Sequence, residues 1–166
     1  MAIADIRSGD VTFTGTVRHT GTLVPSALCV SDSHVSASAD IGVAKQRHRI
    51  KVCYNQSGTP VAATACVYVC RVSSATISSI KVGQIAKNSS GSATVDVQKS
   101  TGGGALATVL SATVTCNSSD TDRTAESATI SSSSLVSGDF LAVVITVSSP
   151  NGTGLWVEIE IEELGA

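Results

Sequence analysis

From Ile50 to the C-terminus, apolar positions recur with a period of two. Ile50, Val52 and Tyr54 alternate with Lys51 and Cys53, which is the signature of a strand with one covered face. Ala65 to Val72 is apolar on both faces and predicts a central strand. Ile77 to Ala86 continues the pattern with a phase break between Ile77 and Ile80, as an inserted residue produces. In Ala93 to Gln98, Val95 and Val97 oppose Thr94, Asp96 and Gln98. Leu106, Leu110, Ala112, Val114 and Cys116 share one face of a long predicted strand, and Thr124 to Ile130 is a short, weak one. Phe140 to Val147 and Leu155 to Leu164 complete the set. Turn-forming clusters separate them, at Asn55–Pro60, Asn88–Gly91, Thr101–Gly104, Asn117–Asp122 and Pro150–Gly154. No stretch carries an amphipathic helical period. About eight strands of this kind predict an all-β fold, an antiparallel β-sandwich or jelly roll.

The leading third reads differently. Asp10 to Arg18 alternates Val11, Phe13, Gly15 and Val17 against Thr12, Thr14, Thr16 and Arg18, a half-buried strand or an arm that pairs with a neighbour. Cys29 to Lys51 is interrupted by Ser31, Asp32, Ser33, Ser36, Ser38 and Asp40, and Ser and Asp compete with backbone hydrogen bonding. Small apolar groups still recur at Val35, Ala37, Ala39, Ile41 and Val43. Such a segment buries little surface alone, so it is expected to order against another surface. The chain therefore divides into an extended N-terminal arm and linker strap, residues 1–49, and a β-sandwich domain, residues 50–166.

Two stretches carry a resemblance. Val35-Ser36-Ala37-Ser38-Ala39-Asp40-Ile41, running on to Lys45, resembles the linker motif of tailed-phage fibre and virion-surface proteins. Val95 to Lys99, a Gly turn, Leu106 to Val114, Leu135-Val136-Ser137-Gly138-Asp139-Phe140-Leu141 and Gly154 to Val157 resemble β-sandwich modules of phage head and tail surface proteins, over residues 65–163. The resemblance implies a virion structural protein, either a capsid decoration (cement) or a head-fibre protein docked on a major capsid protein. A tail-fibre or receptor-binding module is the runner-up within that class. It implies no catalytic residues.

Composition sharpens this. The chain has 166 residues, 42% of them hydrophobic but only 3% aromatic, with a mean hydropathy of +0.27. A core of Val, Ala and Ile is thin, so burial against sister subunits, with a homotrimer as the expectation, would add stability. A net charge of −2 and a pI near 5.8 argue against a dedicated nucleic-acid binder. No apolar run approaches the roughly 18 residues of a membrane span. The start, Met1 to Phe13, lacks the pattern of a secretion signal, so synthesis in a host cytoplasm and residence in the virion are expected.

Candidate chemistry is sparse. Lys45, Arg47, Arg49 and Lys51 recur every second residue, so an extended chain sets all four on one side. They read as a docking edge for an acidic partner, as a phosphate-binding stripe, or as a solvated edge that discourages strand addition. The complement is the last strand, where Leu155, Val157, Ile159 and Ile161 face inward while Trp156, Glu158, Glu160 and Glu162 face out, followed by Glu163. The expectation is that Glu158, Glu160 and Glu162 meet Lys45, Arg47 and Arg49, within or between subunits. As a glycosidase pair these glutamates lack the contrast of environments such a pair needs.

Cys66 and Cys70 sit too far apart along a strand to bridge: about 13 Å against a limit near 7 Å. His19, His34 and His48 are scattered, no Gly-x-Ser-x-Gly elbow exists, and Gly102-Gly103-Gly104 is not followed by the Lys of a phosphate loop. Neither an enzyme nor a cofactor or metal site is expected. Asn55, Asn88, Asn117 and Asn151 each begin an Asn-x-Ser/Thr triplet, read here as coincidence in Ser-rich turns. A carbohydrate-binding or adhesin sandwich remains as the rival of a different class, resting on the single outward aromatic Trp156.

Overall fold

The computed structural model describes residues 47–164. Val35, Ile41 and Lys45, the segment 10–18 and the strap's small-residue run lie outside the described residues. The strands are β1 (Arg47–Gln56), β2 (Ala63–Val69), β3 (Ser74–Ala86), β4 (Ser92–Ser100), β5 (Ala107–Thr108), β6 (Val114–Cys116), β7 (Ala125–Ser127), β8 (Ser134–Val136), β9 (Phe140–Ser148) and β10 (Thr153–Leu164). β1 begins at Arg47, so this strand runs across the 49/50 division drawn from the sequence.

The two sheets are antiparallel. One runs β1-β10-β3-β7 with β8 also on β3, and the other runs β2-β9-β4-β5 with β6 also on β4. The first half of the chain pairs in reverse with the second half: β1 with β10, β2 with β9, β3 with β8 and β7, β4 with β6 and β5. This is one long hairpin folded over itself, closed into two sheets by the β10–β3 and β9–β4 pairings. That winding is the jelly roll. No helix among the described residues is long and apolar enough to cross a membrane.

The core lies between the sheets. Ile77, Ile80 and Val82 of β3, Val95 and Val97 of β4, Leu141, Val143 and Ile145 of β9, and Leu155, Val157, Ile159 and Ile161 of β10 are all buried. The largest fully buried side chains are Ile, Leu and Val, with no aromatic ring among them. Each such burial contributes about 1.5–3 kcal/mol, so the fold rests on many small aliphatic contacts.

The phase break between Ile77 and Ile80 is a β-bulge. Ile161 pairs with Ile77 and Glu160 with Ser79, so Ser78 is the inserted residue, and its hydroxyl donates to the Glu160 carbonyl at 3.1 Å. Both isoleucines thereby reach the core, at 2% and 1% exposure. A second bulge sits at Val67 in β2, where the register shifts between Cys66 and Tyr68.

Three readings are corrected. The segment with apolar residues on both faces is β2, an edge strand and not a central one. The bulge reverses its phase so that Val67 and Tyr68 both turn toward the core. The long strand expected from Leu106 to Cys116 is broken into β5 and β6. Val109 and Leu110 are consecutive and both buried, so the chain between them is not pleated regularly. Val109 N–H donates to the Val97 carbonyl while Leu110 bridges to Ile130. Leu106 and Ala112 lie exposed. Finally, Ser131–Ser134, whose serines predict a break, runs into β8 (Ser134–Val136), a short strand absent from the predicted set.

Candidate functional site

The outer face of the first sheet is where the charged residues converge. β1 and β10 pair without interruption, from Arg47 opposite Leu164 to Gln56 opposite Leu155. Alternation therefore sets Arg47, Arg49 and Lys51 on the same face as Glu158, Glu160 and Glu162. Arg49 makes the shortest contacts: Nη2 lies 2.8 Å from Glu162 Oε1, and Nε donates to the same oxygen at 2.9 Å. Its Nη1 lies 3.6 Å from Glu160 Oε1. Arg47 Nη1 is 3.7 Å from Glu162 Oε2, and Lys51 Nζ is 3.3 Å from Glu158 Oε1. Of the cations expected to meet these glutamates, Arg47 and Arg49 do so within one chain and Lys45 lies outside the described residues, while Lys51, outside that expectation, reaches Glu158. The Arg49 side chain is 69% exposed against 20% for Glu162, so each pair contributes about 0–1 kcal/mol. The ladder fixes register more than it adds stability.

Glu163 leaves the stripe. One residue further along a pleated strand it turns to the other face, where its Oε1 accepts a 2.6 Å hydrogen bond from Tyr68 Oη of β2. The bond ties the two sheets together at one end. Burial, this hydrogen bond and the neighbouring Cys70 all push the Tyr68 hydroxyl above its usual range. At that same end Lys99 Nζ donates to the Ser134 carbonyl at 2.9 Å and lies 3.8 Å from the buried Asp139. Asp139 Oδ2 accepts from the Val136 N–H at 3.0 Å, closing the turn at Gly138.

The opposite end is organised by Asn88, which is fully buried. Its Oδ1 accepts from the N–H groups of Asn151 and Gly152, at 2.9 and 2.8 Å. Its Nδ2 donates to Gln84 Oε1 and the Cys116 carbonyl, both at 3.0 Å. Both amide atoms are committed, so the Asn88-Ser89-Ser90 triplet offers no accessible acceptor for a glycan. Nothing in the sequence pattern marked Asn88 or Tyr68 as central; both act between segments distant in the chain.

A cleft of about 240 Å³ opens between Gln84, Cys116, Asp120, Thr124 and Glu126. The Cys116 thiol there is pushed up to about 12, first by burial and then by the carboxylates of Asp120 and Glu126. It stays protonated at neutral pH and is a poor nucleophile. Among the described residues no group of three His, Cys, Asp or Glu is placed to hold a metal ion. Cys53, Cys66, Cys70 and Cys116 are free thiols, Cys53 and Cys66 of them exposed.

Trp156 lies beside the ladder on the same face, opposite Asn55 on one side and Gly83 on the other. Its ring is laid down over Gly83: a β-carbon built there would sit 2.7 Å from Trp156 Cζ2 and 2.8 Å from the Thr124 carbonyl oxygen. The ring is half-buried.

No protein-family model and no curated protein matches the chain. Solved structures with a similar chain path include one described as Bacillus endospore appendages that form a family of disulfide-linked pili. It has 13% identity and a TM-score of 0.40 over 72% of this chain and 89% of that one. Another is of infectious bursal disease virus, Gt strain, at 11% identity and a TM-score of 0.34, over 74% of this chain and 33% of that one.

Proposed function

We propose that the protein is structural material of a virion: a capsid decoration (cement) or head-fibre protein that docks on a phage shell, with a tail-fibre module as the variant of the same reading. The observation that carries it is the use of charge on the first sheet. Arg47, Arg49 and Lys51 are spent on Glu158, Glu160 and Glu162 of the same sheet, which holds a long pair of strands in register. A slab of small aliphatic residues whose surface charges are largely paired suits repeated packing in a lattice. The resemblance of Val35 to Lys45 and of residues 65–163 to phage surface proteins supports the same reading.

The test is mass spectrometry of purified particles. Hundreds of copies relative to the shell protein are expected for decoration and a handful for a fibre; none would overturn the proposal. Deleting residues 1–24 is expected to abolish shell binding while leaving a folded sandwich. The rival carbohydrate-binding reading needs a ring free to stack on a sugar. Trp156 is half-buried over Gly83, which weighs against it. Glycan-array binding lost in Trp156→Ala would restore it.

A further inference from the structure

β1 is an end strand. Among the described residues it pairs only with β10, so the backbone N–H and C=O groups along its other edge form a row to which no described strand is paired. Such rows template pairing with another chain unless they are blunted by bulges, prolines or guarding charges. The matching edge of the second sheet, β2, is seven residues long and broken by the bulge at Val67. β1 is ten residues long, with no register shift and no proline. Its guards are withdrawn as well. Arg47, Arg49 and Lys51 are held toward β10 by Glu158, Glu160 and Glu162, so each of the three cations on β1 has a carboxylate partner on its own sheet. On the inward side Ile50, Val52 and Tyr54 are only half-buried, whereas Val157, Ile159 and Ile161 on the adjacent strand are at most 1% exposed.

We propose that β1 pairs antiparallel with β1 of a second copy about a two-fold axis at Val52, joining the first sheets of two copies into one. The register follows from side-chain parity, because residues on one face must oppose residues on the same face. An axis at Val52 sets Val52 against itself and Ile50 against the partner's Tyr54, apolar against apolar. On the outer face it sets Lys51 against the partner's Cys53 and Arg49 against the partner's Asn55, with no like charges opposed. An axis at Lys51 would bring two ammonium groups together, and one at Cys53 would set Ile50 against the partner's Gln56. The contact deepens the structural-protein proposal, since it names a surface by which copies assemble. Being two-fold, it is distinct from the three-fold contact a trimer requires.

The experiment is register-specific cross-linking of the full chain. Lys51→Cys faces the partner's Cys53, and Val52→Cys in a Cys53→Ser background faces itself. Successive rungs of an antiparallel ladder alternate between close and wide, so one of the two variants falls on a close rung. Under mild oxidation, peptide mapping is expected to find a 51–53 or a 52–52 link in a covalent dimer, and none for Asn55→Cys in the same Cys53→Ser background. Absence of both links, or equal linking at position 55, overturns the proposal. A measurement on the unmodified chain guards against misfolded variants: the β1 amides that point away from β10 should exchange about tenfold more slowly in concentrated than in dilute solution. Exchange independent of concentration overturns the contact. Links present with no copies in particles would instead remove the virion reading, and particle-bound copies without links would remove only this contact.

Discussion

Gly83 is a position where the outer face of the first sheet is packed tightly, and Gly83→Ala measures it. A β-carbon there meets Trp156 Cζ2 at 2.7 Å, Trp156 Cε2 at 2.8 Å and the Thr124 carbonyl oxygen at 2.8 Å. Real contacts of that kind are longer, so the indole or the strand must move. Removing a glycine stiffens the unfolded chain and by itself stabilises by about 0.4–1 kcal/mol. Overpacking costs about 1–3 kcal/mol. The steric cost wins, with a net destabilisation of about 1–2 kcal/mol. Because two of the three contacts are with Trp156, the same change in a Trp156→Ala background should cost less, leaving the Thr124 oxygen as the remaining obstacle. The coupling between the sites is then about 1 kcal/mol and relieves the double variant. Urea unfolding of the four full-length proteins, followed by circular dichroism, gives the cycle. If Gly83→Ala is as stable as the parent, or if its cost is unchanged without the indole, Trp156 does not cover Gly83 and the account of this face is wrong.

Other outcomes follow from the same geometry. Reversing Glu158 and Glu160 to Lys sets like charges beside Lys51 and Arg49, and should destabilise by about 1–2 kcal/mol at low salt and by less at high salt; assembly and unfolding free energy both insensitive to salt would refute the ladder. Tyr68→Phe removes the 2.6 Å bond to Glu163 and should cost about 1–3 kcal/mol, with hydrogen exchange rising first at the Tyr68 end of β2 and β9. Cys116 has a folded pKa raised to about 12 by burial and by Asp120 and Glu126. The folded state therefore favours the thiol: the contribution is whole below the unfolded pKa of about 8.5 and is lost as pH rises toward 12. Cys116→Ala should flatten the fall in melting temperature over that alkaline window, and an unchanged fall would refute the assignment.

Period-two alternation was enough to define an all-β sandwich, because side chains on a pleated strand must choose a face. It also located the bulge at Ser78, where two isoleucines three residues apart both needed the core. The facing stripes of Arg47, Arg49 and Lys51 and of Glu158, Glu160 and Glu162 were legible for the same reason, since extended chains present every second residue together. What a local pattern does not contain is who lies beside whom. β2 looked central because its bulge turned successive residues inward, yet it is an edge. The stretch Leu106–Cys116 looked continuous, yet Val109 and Leu110 are claimed by different neighbours. Glu163 follows the stripe in sequence, yet one further step of the pleat carries it to Tyr68 on the other sheet. Asn88 became the hinge of one end only when Gln84, Cys116, Asn151 and Gly152 were brought around it. Strand periodicity is a property of consecutive residues and is written in the chain, whereas edge position, end-to-end ties and buried polar networks depend on contacts between residues distant in sequence, which only the folded arrangement decides.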